Sequence, residues 1–180
     1  LDMKFTETSL PGVYLIDIEP IGDSRGFFGR FWCSKEFAAQ GLPFEVAQIN
    51  VSHNAEAGTL RGLHYQREPS AEAKVVACSR GRVFDVAVDV RPESETYLKW
   101  YGTVLDDEKR QMLYIPEGFA HGYQTLEDDT GLLYLVSEFY APDAETGLRY
   151  DDPAIGINWP EPVASISDKD KGWDLLPMPL

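Results

Sequence analysis

Hydrophobic and polar residues alternate with a period of two in several short runs of this chain, the spacing of half-buried β-strands. In "GVYLIDIEP" (12–20), Val13, Leu15 and Asp17 oppose Tyr14, Ile16 and Ile18 until Pro20 stops the run. "EVAQINVSHN" (45–54) alternates likewise, and its polar continuation "SHNAEAG" reads as loop. Two β-rich runs, "KVVACS" and "RVFDVAVDVR", meet at Arg80-Gly81 and read as a hairpin over 74–91. In the second run Phe84, Val86, Val88 and Val90 share one face, and Val83, Asp85, Ala87 and Asp89 share the other. Further strands are expected at 98–105, 111–115, 121–126 and 131–139. One helix is expected over 33–42, with Ser34 as N-cap and Gly41 as terminator. "SRGFFGRFW" (24–32) is aromatic and broken by glycine, and the Pro-, Asp- and Gly-rich tail from Tyr140 reads as loops with a short terminal segment.

Strands this short and closely spaced belong to a barrel, a jelly roll or a sandwich. A length of 180 residues, with no repeat, low-complexity stretch or linker, is expected to form a single domain over 1–180. With 43% hydrophobic residues a packed body is expected rather than disorder. The formal charge of -14 argues against non-specific nucleic-acid binding. That charge is uneven: residues 127–180 carry 12 acids against 3 bases, whereas 58–91 carry 6 bases against 4 acids. A locally basic stretch in an acidic protein is suited to an anionic ligand.

Cys33 and Cys78 are the two cysteines and form no CxxC motif, so no disulfide framework is expected. There is no apolar run long enough to span a membrane and no signal-peptide core, so a cytoplasmic protein is expected. The chain opens on Leu1, so a missing or replaced start is expected.

Chemistry concentrates at three places. In "GTLRGLHYQ" (58–66), strict alternation puts Leu60, Gly62, His64 and Gln66 on one face and Arg61, Leu63 and Tyr65 on the other. Arg61 and His64 serve one site only if the alternation breaks, and Gly62 is where a bulge would break it. In "YIPEGFAHGY" (114–123), a Pro–Gly turn delivers His121 at the start of a strand, as in the second motif of cupin barrels. The chain lacks the HxH pair of metal-binding cupins; His53, His64 and His121 are the three histidines from which a metal site would have to be built. In "LLYLVSEFY" (132–140), Tyr134 matters if it faces His64 across a cavity, because an epimerase removes a proton from one face of a sugar and delivers one to the other. Asp85 or Asp170 could orient His64 through one imidazole nitrogen. No GxGxxG, GxxxxGK[ST] or GxSxG motif is present.

From about Gly12 to about Asp170 the chain resembles the dTDP-4-dehydrorhamnose 3,5-epimerase family. The resemblance is carried by "GDSRGFFGRFW", "QINVSHN", "GTLRGLHYQ", "AKVVACSRGRVFDVAVDVRPESETY", "YIPEGFAHGYQTLEDD", "LYLVSEFYAP", "DDPAIGINWP" and "SISDKD". It implies an all-β fold, a double-stranded β-helix (jelly-roll, cupin) barrel with minor helices, that dimerises and uses neither metal nor cofactor. The implied substrate is a nucleotide-diphosphate sugar, dTDP-4-dehydro-6-deoxy-D-glucose, epimerised at C3 and C5. By resemblance, His64 is the base, Tyr134 the acid, Asp170 the partner of His64 and Lys74 the cation beside the C4 oxygen. Arg61 and His121 match substrate-site residues. Arg25, Gln48 and Asn50 match nucleotide contacts, with Arg25 reaching a partner subunit's site, and Glu145 and Lys169 match binding positions.

The chain departs from the family pattern at Arg30, where the family usually has a Glu that contacts the nucleotide, and at Leu135, where many members have Lys. "SHN" replaces a more usual polar run. Alternatives from the same residues are a 3- or 5-mono-epimerase or a ketoisomerase acting on another nucleotide-linked keto sugar, a metal-dependent cupin, and a non-catalytic sugar-binding cupin.

Overall fold

The computed structural model describes residues 2–42 and 44–177; Leu1, the unusual first residue, lies outside them. In chain order the elements are β1 (Met3–Glu7), β2 (Tyr14–Ile18), β3 (Ile21–Asp23), β4 (Gly26–Phe28), α1 (Ser34–Ala39), β5 (Gln48–Asn54), β6 (Leu60–Gln66), β7 (Lys74–Arg80), β8 (Arg82–Asp89), β9 (Trp100–Asp106), β10 (Met112–Ile115), β11 (Phe119–Thr125), β12 (Thr130–Val136), β13 (Glu145–Gly147) and α2 (Asp168–Lys171). One sheet runs β1-β2-β10-β7-β12-β5, a second runs β13-β6-β11-β8-β9, and β3 and β4 form a separate ribbon. The named strands pair antiparallel throughout. This is an all-β jelly roll with minor helices.

Apolar residues pack on both faces of each sheet. Inward residues of the two sheets, among them Val76, Leu113 and Leu132 against Val83, Ala87, Phe119 and Tyr123, form the core between them. The outward face of the larger sheet takes α1, whose Phe37 packs with Trp32, Phe44 and Tyr114. On the outside of the smaller sheet, Leu63, Val86 and Val88 are covered by Leu148, Ile155 and Trp159 of the tail. Val83 and Ala87 therefore bury inward while Val86 and Val88 bury outward, the division read from alternation.

Several expectations are corrected. The 74–91 segment forms two strands but no hairpin: β7 and β8 lie in different sheets. A single residue, Gly81, separates them, too few for a two-residue hairpin turn, and its φ of +77° turns the chain from one sheet into the other. The N-cap of α1 is Cys33, not Ser34, and makes no side-chain cap bond; Gly41, at φ +72°, follows the helix as expected. His53 belongs to β5 rather than a loop, paired opposite Gly131. The last long strand stops at Val136, where Ser137 binds the Ala73 backbone through both its hydroxyl and its amide, so Tyr140 lies beyond it. The tail also contributes β13, which extends the smaller sheet beside β6.

Gly62 is the decisive irregularity. Across β6 and β11, His64 opposes His121 and Arg61 opposes Tyr123, so Gly62 and Leu63 together face the single residue Gly122. That two-against-one step is a β-bulge. It returns Arg61 to the face of His64 and Gln66, while Leu63 points outward into the core under the tail. A Cβ on Gly62 would stand 2.5 Å from the Gly122 Cα and 2.8 Å from the His121 carbonyl oxygen, and φ is +121°. Gly62→Ala is therefore expected to lower stability by about 2–4 kcal/mol, combining a left-handed backbone with a backbone clash. Thermal unfolding measures this, and an unchanged melting temperature would contradict the tight step.

Candidate active site

The inward residues at one end of the jelly roll line a cavity of about 550 Å³, within the range of small-molecule sites. From the larger sheet, alternation brings Gln48, Asn50 and Ser52 of β5, Lys74 of β7, and Tyr134 and Val136 of β12. The smaller sheet contributes Arg61, His64 and Gln66 of β6, His121 and Tyr123 of β11, and Glu145 of β13. His64 and Tyr134 thus approach one cavity from opposite sheets.

Two imidazole–carboxylate pairs organise it. His64 Nε2 lies 2.5 Å from Asp170 Oδ1, and Asp170 Oδ2 accepts the Gly62 amide at 3.1 Å. The Asp170 amide in turn donates to the Ser167 hydroxyl that caps α2. Burial by itself would raise the Asp170 carboxyl, but the hydrogen bond from His64, with the Gly62 and Ser167 bonds, holds it below its ordinary value. An ionised Asp170 puts the imidazole proton on Nε2 and leaves Nδ1 to act as a base. The second pair joins His121 Nε2 to both oxygens of Asp85 at 3.0 Å. Asp85 is fully buried, not a solvent-facing strand residue, and serves His121 rather than His64. The sequence offered two acids for one histidine; the fold gives each acid its own.

Lys74 is nearly buried, 3.0 Å from Glu72 and 3.4 Å from the His64 carbonyl. Arg61 donates to Asn54 Oδ1 and the His53 carbonyl and meets no carboxylate among the described residues, so its charge remains for an anion. Tyr134 hydrogen-bonds Ser52 at 3.0 Å. Burial above all, with the neighbouring Tyr123 oxygen, drives its hydroxyl far above the ordinary phenol value. At the rim, Lys169 pairs with Glu145 at 2.6 Å, and Tyr140 donates to Glu145 at 2.7 Å. Burial opposes ionisation of Glu145, yet these partners hold its carboxyl low.

Most sequence-predicted residues meet here: His64, Tyr134, Lys74, Gln48, Asn50, Arg61, His121 and Glu145 line the cavity, with Asp170 behind His64 and Lys169 at the rim. Arg25 does not join them. It stands exposed in the β3–β4 turn, bound to Asp23. His53 is also outside, exposed and 3.3 Å from Asp129. Arg30 pairs with Glu36 of α1 at 2.8 Å. Sequence reasoning missed Ser52, Tyr123, Gln66 and Glu72. Ser52 was recoverable, because it continues the Gln48, Asn50 alternation; Glu72 had no signal, lying in a short loop.

A family model described as dTDP-4-dehydrorhamnose 3,5-epimerase matches residues 7–177. The chain belongs to that family. It is 45% identical over 170 residues to the dTDP-4-dehydrorhamnose 3,5-epimerase of Sinorhizobium fredii, covering 94% of this chain and 87% of that protein. The crystal structure of the Bacillus anthracis dTDP-4-dehydrorhamnose 3,5-epimerase, with TDP and PPi bound, superposes with a TM-score of 0.92 at 39% identity, over 97% of this chain and 99% of that one. The Legionella pneumophila dTDP-6-deoxy-D-glucose-3,5-epimerase, in complex with dTDP-4-keto-L-rhamnose, gives 0.90 at 36% identity, over 96% and 92%. The jelly roll of this 3,5-epimerase family member is therefore of the cupin type.

The low-lying Asp170 carboxyl sets a pH dependence. Because its folded value is depressed, its bonds contribute stability that is fully present above the unfolded value near 3.8 and lost as pH falls through the folded value. Asp170→Asn should lower the melting temperature at neutral pH and flatten its fall as pH drops below about 4. It should also cut kcat roughly 10²–10⁴-fold by releasing the imidazole tautomer. Wild-type kcat in this variant would contradict the pairing.

Proposed function

We propose that this chain is an epimerase that inverts C3 and C5 of dTDP-4-dehydro-6-deoxy-D-glucose, giving dTDP-4-dehydro-L-rhamnose, with His64 as base and Tyr134 as acid. The observation that carries the reading is a carboxylate-held histidine and a half-buried tyrosine facing one cavity from opposite sheets. The ligands named for the Bacillus and Legionella relatives support the substrate class.

The chemistry follows from the 4-keto group. A C–H bond beside a ketone is acidic because the electron pair left behind delocalises onto oxygen as an enolate. His64 takes the proton, and Lys74 stabilises the oxygen charge, an effect worth ~3–4 kcal/mol for comparable single donors. Tyr134 then delivers a proton to the opposite face, and the enolate pair forms the new C–H bond as C4=O is restored. Arg61 provides bidentate donors for diphosphate oxygens, and Gln48 and Asn50 for the nucleotide. His121, held by Asp85, and Glu145 with Lys169 border the sugar. The residues perform this acid–base chemistry without a metal or cofactor.

Incubation with this substrate in D₂O, followed by NMR, tests the reading. Deuterium is expected at C3 and C5 of the inverted product. His64→Ala should abolish exchange, and Tyr134→Phe should spare exchange more than inversion. Incorporation at C3 alone would make the chain a mono-epimerase, and exchange independent of His64 would overturn the base.

The same reading makes the chain a cytoplasmic, single-domain homodimer. Supporting the dimer, β5 is an edge strand whose outward Ile49 and Val51 are 60% and 79% exposed, close to the sort of apolar edge that proteins usually cover. Ile21 and Phe28 of the β3–β4 ribbon are similarly bare. In that dimer Arg25 reaches the partner's cavity. Light scattering should report a dimer, and Val51→Asp should shift it towards monomer; a monomeric wild type would remove the proposal.

A further inference from the structure

Behind Tyr134 lies a chain of hydroxyls whose direction is fixed by its far end. Asn54 Nδ2 donates to the Thr130 carbonyl at 3.1 Å, so Asn54 Oδ1 is the acceptor turned towards Tyr123. Arg61 Nε donates to that oxygen as well, at 2.8 Å. Oδ1 can only accept, so the single Tyr123 proton goes to it, at 3.2 Å. The Tyr123 oxygen, having spent its proton, can only accept from Ser52, at 3.0 Å. Ser52 has then spent its one proton too, and its oxygen accepts from Tyr134 at 3.0 Å. In the resting protein three protons therefore point the same way, from Tyr134 towards Asn54.

This order matters for a tyrosine that gives its proton to carbon. Withdrawal of the Tyr134 hydroxyl from water, the leading cause of its elevated value, disfavours a bare tyrosinate. We propose that Ser52 is a rotor: its hydroxyl donates to Tyr123 while Tyr134 is protonated, and swings to donate to the Tyr134 oxygen once that proton has gone to the sugar. The Tyr134 O–H bond breaks, the C–H bond forms from the enolate pair, and the tyrosinate gains a charge-assisted bond by rotation of one hydroxyl. Tyr123 keeps its bond to Asn54 throughout and holds the track. Water later reprotonates Tyr134 and removes the proton from His64. Ser52 is thus a positioning residue, and the inference rests on Tyr134 being the acid.

Two measurements test it. Neutron diffraction from H/D-exchanged protein should place the Ser52 deuterium between Ser52 and Tyr123; density on the Tyr134 side would overturn the resting order without any reference to substrate. In D₂O with dTDP-4-dehydro-6-deoxy-D-glucose, Ser52→Ala should slow inversion about 10- to 100-fold, the loss of one hydrogen bond to a charged group. Deuterium should still enter uninverted substrate at the wild-type rate, because that exchange runs through His64 and the Lys74-stabilised enolate and does not use Tyr134. Ser52→Thr, which keeps the hydroxyl, should restore inversion. A parallel fall of exchange and inversion, or no fall in either, would overturn the rotor. Tyr134→Phe that inverts at the wild-type rate would instead remove the acid itself, and the rotor's catalytic role with it, while leaving the neutron result to stand or fall alone.

Discussion

The buried carboxylate of Asp170 joins a backbone irregularity to a base. One oxygen accepts the amide of Gly62, the residue at which β6 steps out of register, and the other holds the imidazole of His64 two residues on. Without the step, Arg61 and His64 would face opposite sides of the sheet. Without the carboxylate, the imidazole would be free to adopt either tautomer. The cost of burying a charge is offset by the bonds to His64, Gly62 and Ser167, which is why its carboxyl stays ionised in spite of burial.

The same economy explains how a chain of formal charge -14 can receive an anion. At the cavity Glu72 and Glu145 are each paired with a lysine, Lys74 and Lys169, while Asp85 and Asp170 are turned to His121 and His64. Arg61, by contrast, bonds only neutral oxygens among the described residues. Net charge describes the surface, whereas binding is decided by which charges at the cavity remain uncancelled.

Much of this was legible in the chain because strand alternation is local. The two faces of β2 and β8, the glycine break at Gly62, and the His64, Tyr134 and Lys74 set all follow from spacing or from the family resemblance. Pairing is non-local and was not legible. The Arg80-Gly81 junction looks like a hairpin in one dimension, yet it is a corner between sheets, and only the partners of β7 and β8 reveal it. The assignment of Asp85 to His121 likewise depends on β8 lying beside β11. Glu72 reaches Lys74 from a loop with no periodic pattern, and Tyr123 enters the site because its hydroxyl, not its ring, faces Ser52. Arg25 shows the converse limit: a motif residue whose place lies away from the cavity of its own chain.

The central claim is that one cavity presents a base and an acid to opposite faces of a keto sugar. A crystal structure of this chain with dTDP-L-rhamnose bound tests it most directly. The account predicts the sugar ring between His64 and Tyr134, with the imidazole on one face, the phenol oxygen on the other, and the diphosphate against Arg61. Both side chains on the same face of the ring, or a sugar seated outside this cavity, would contradict it.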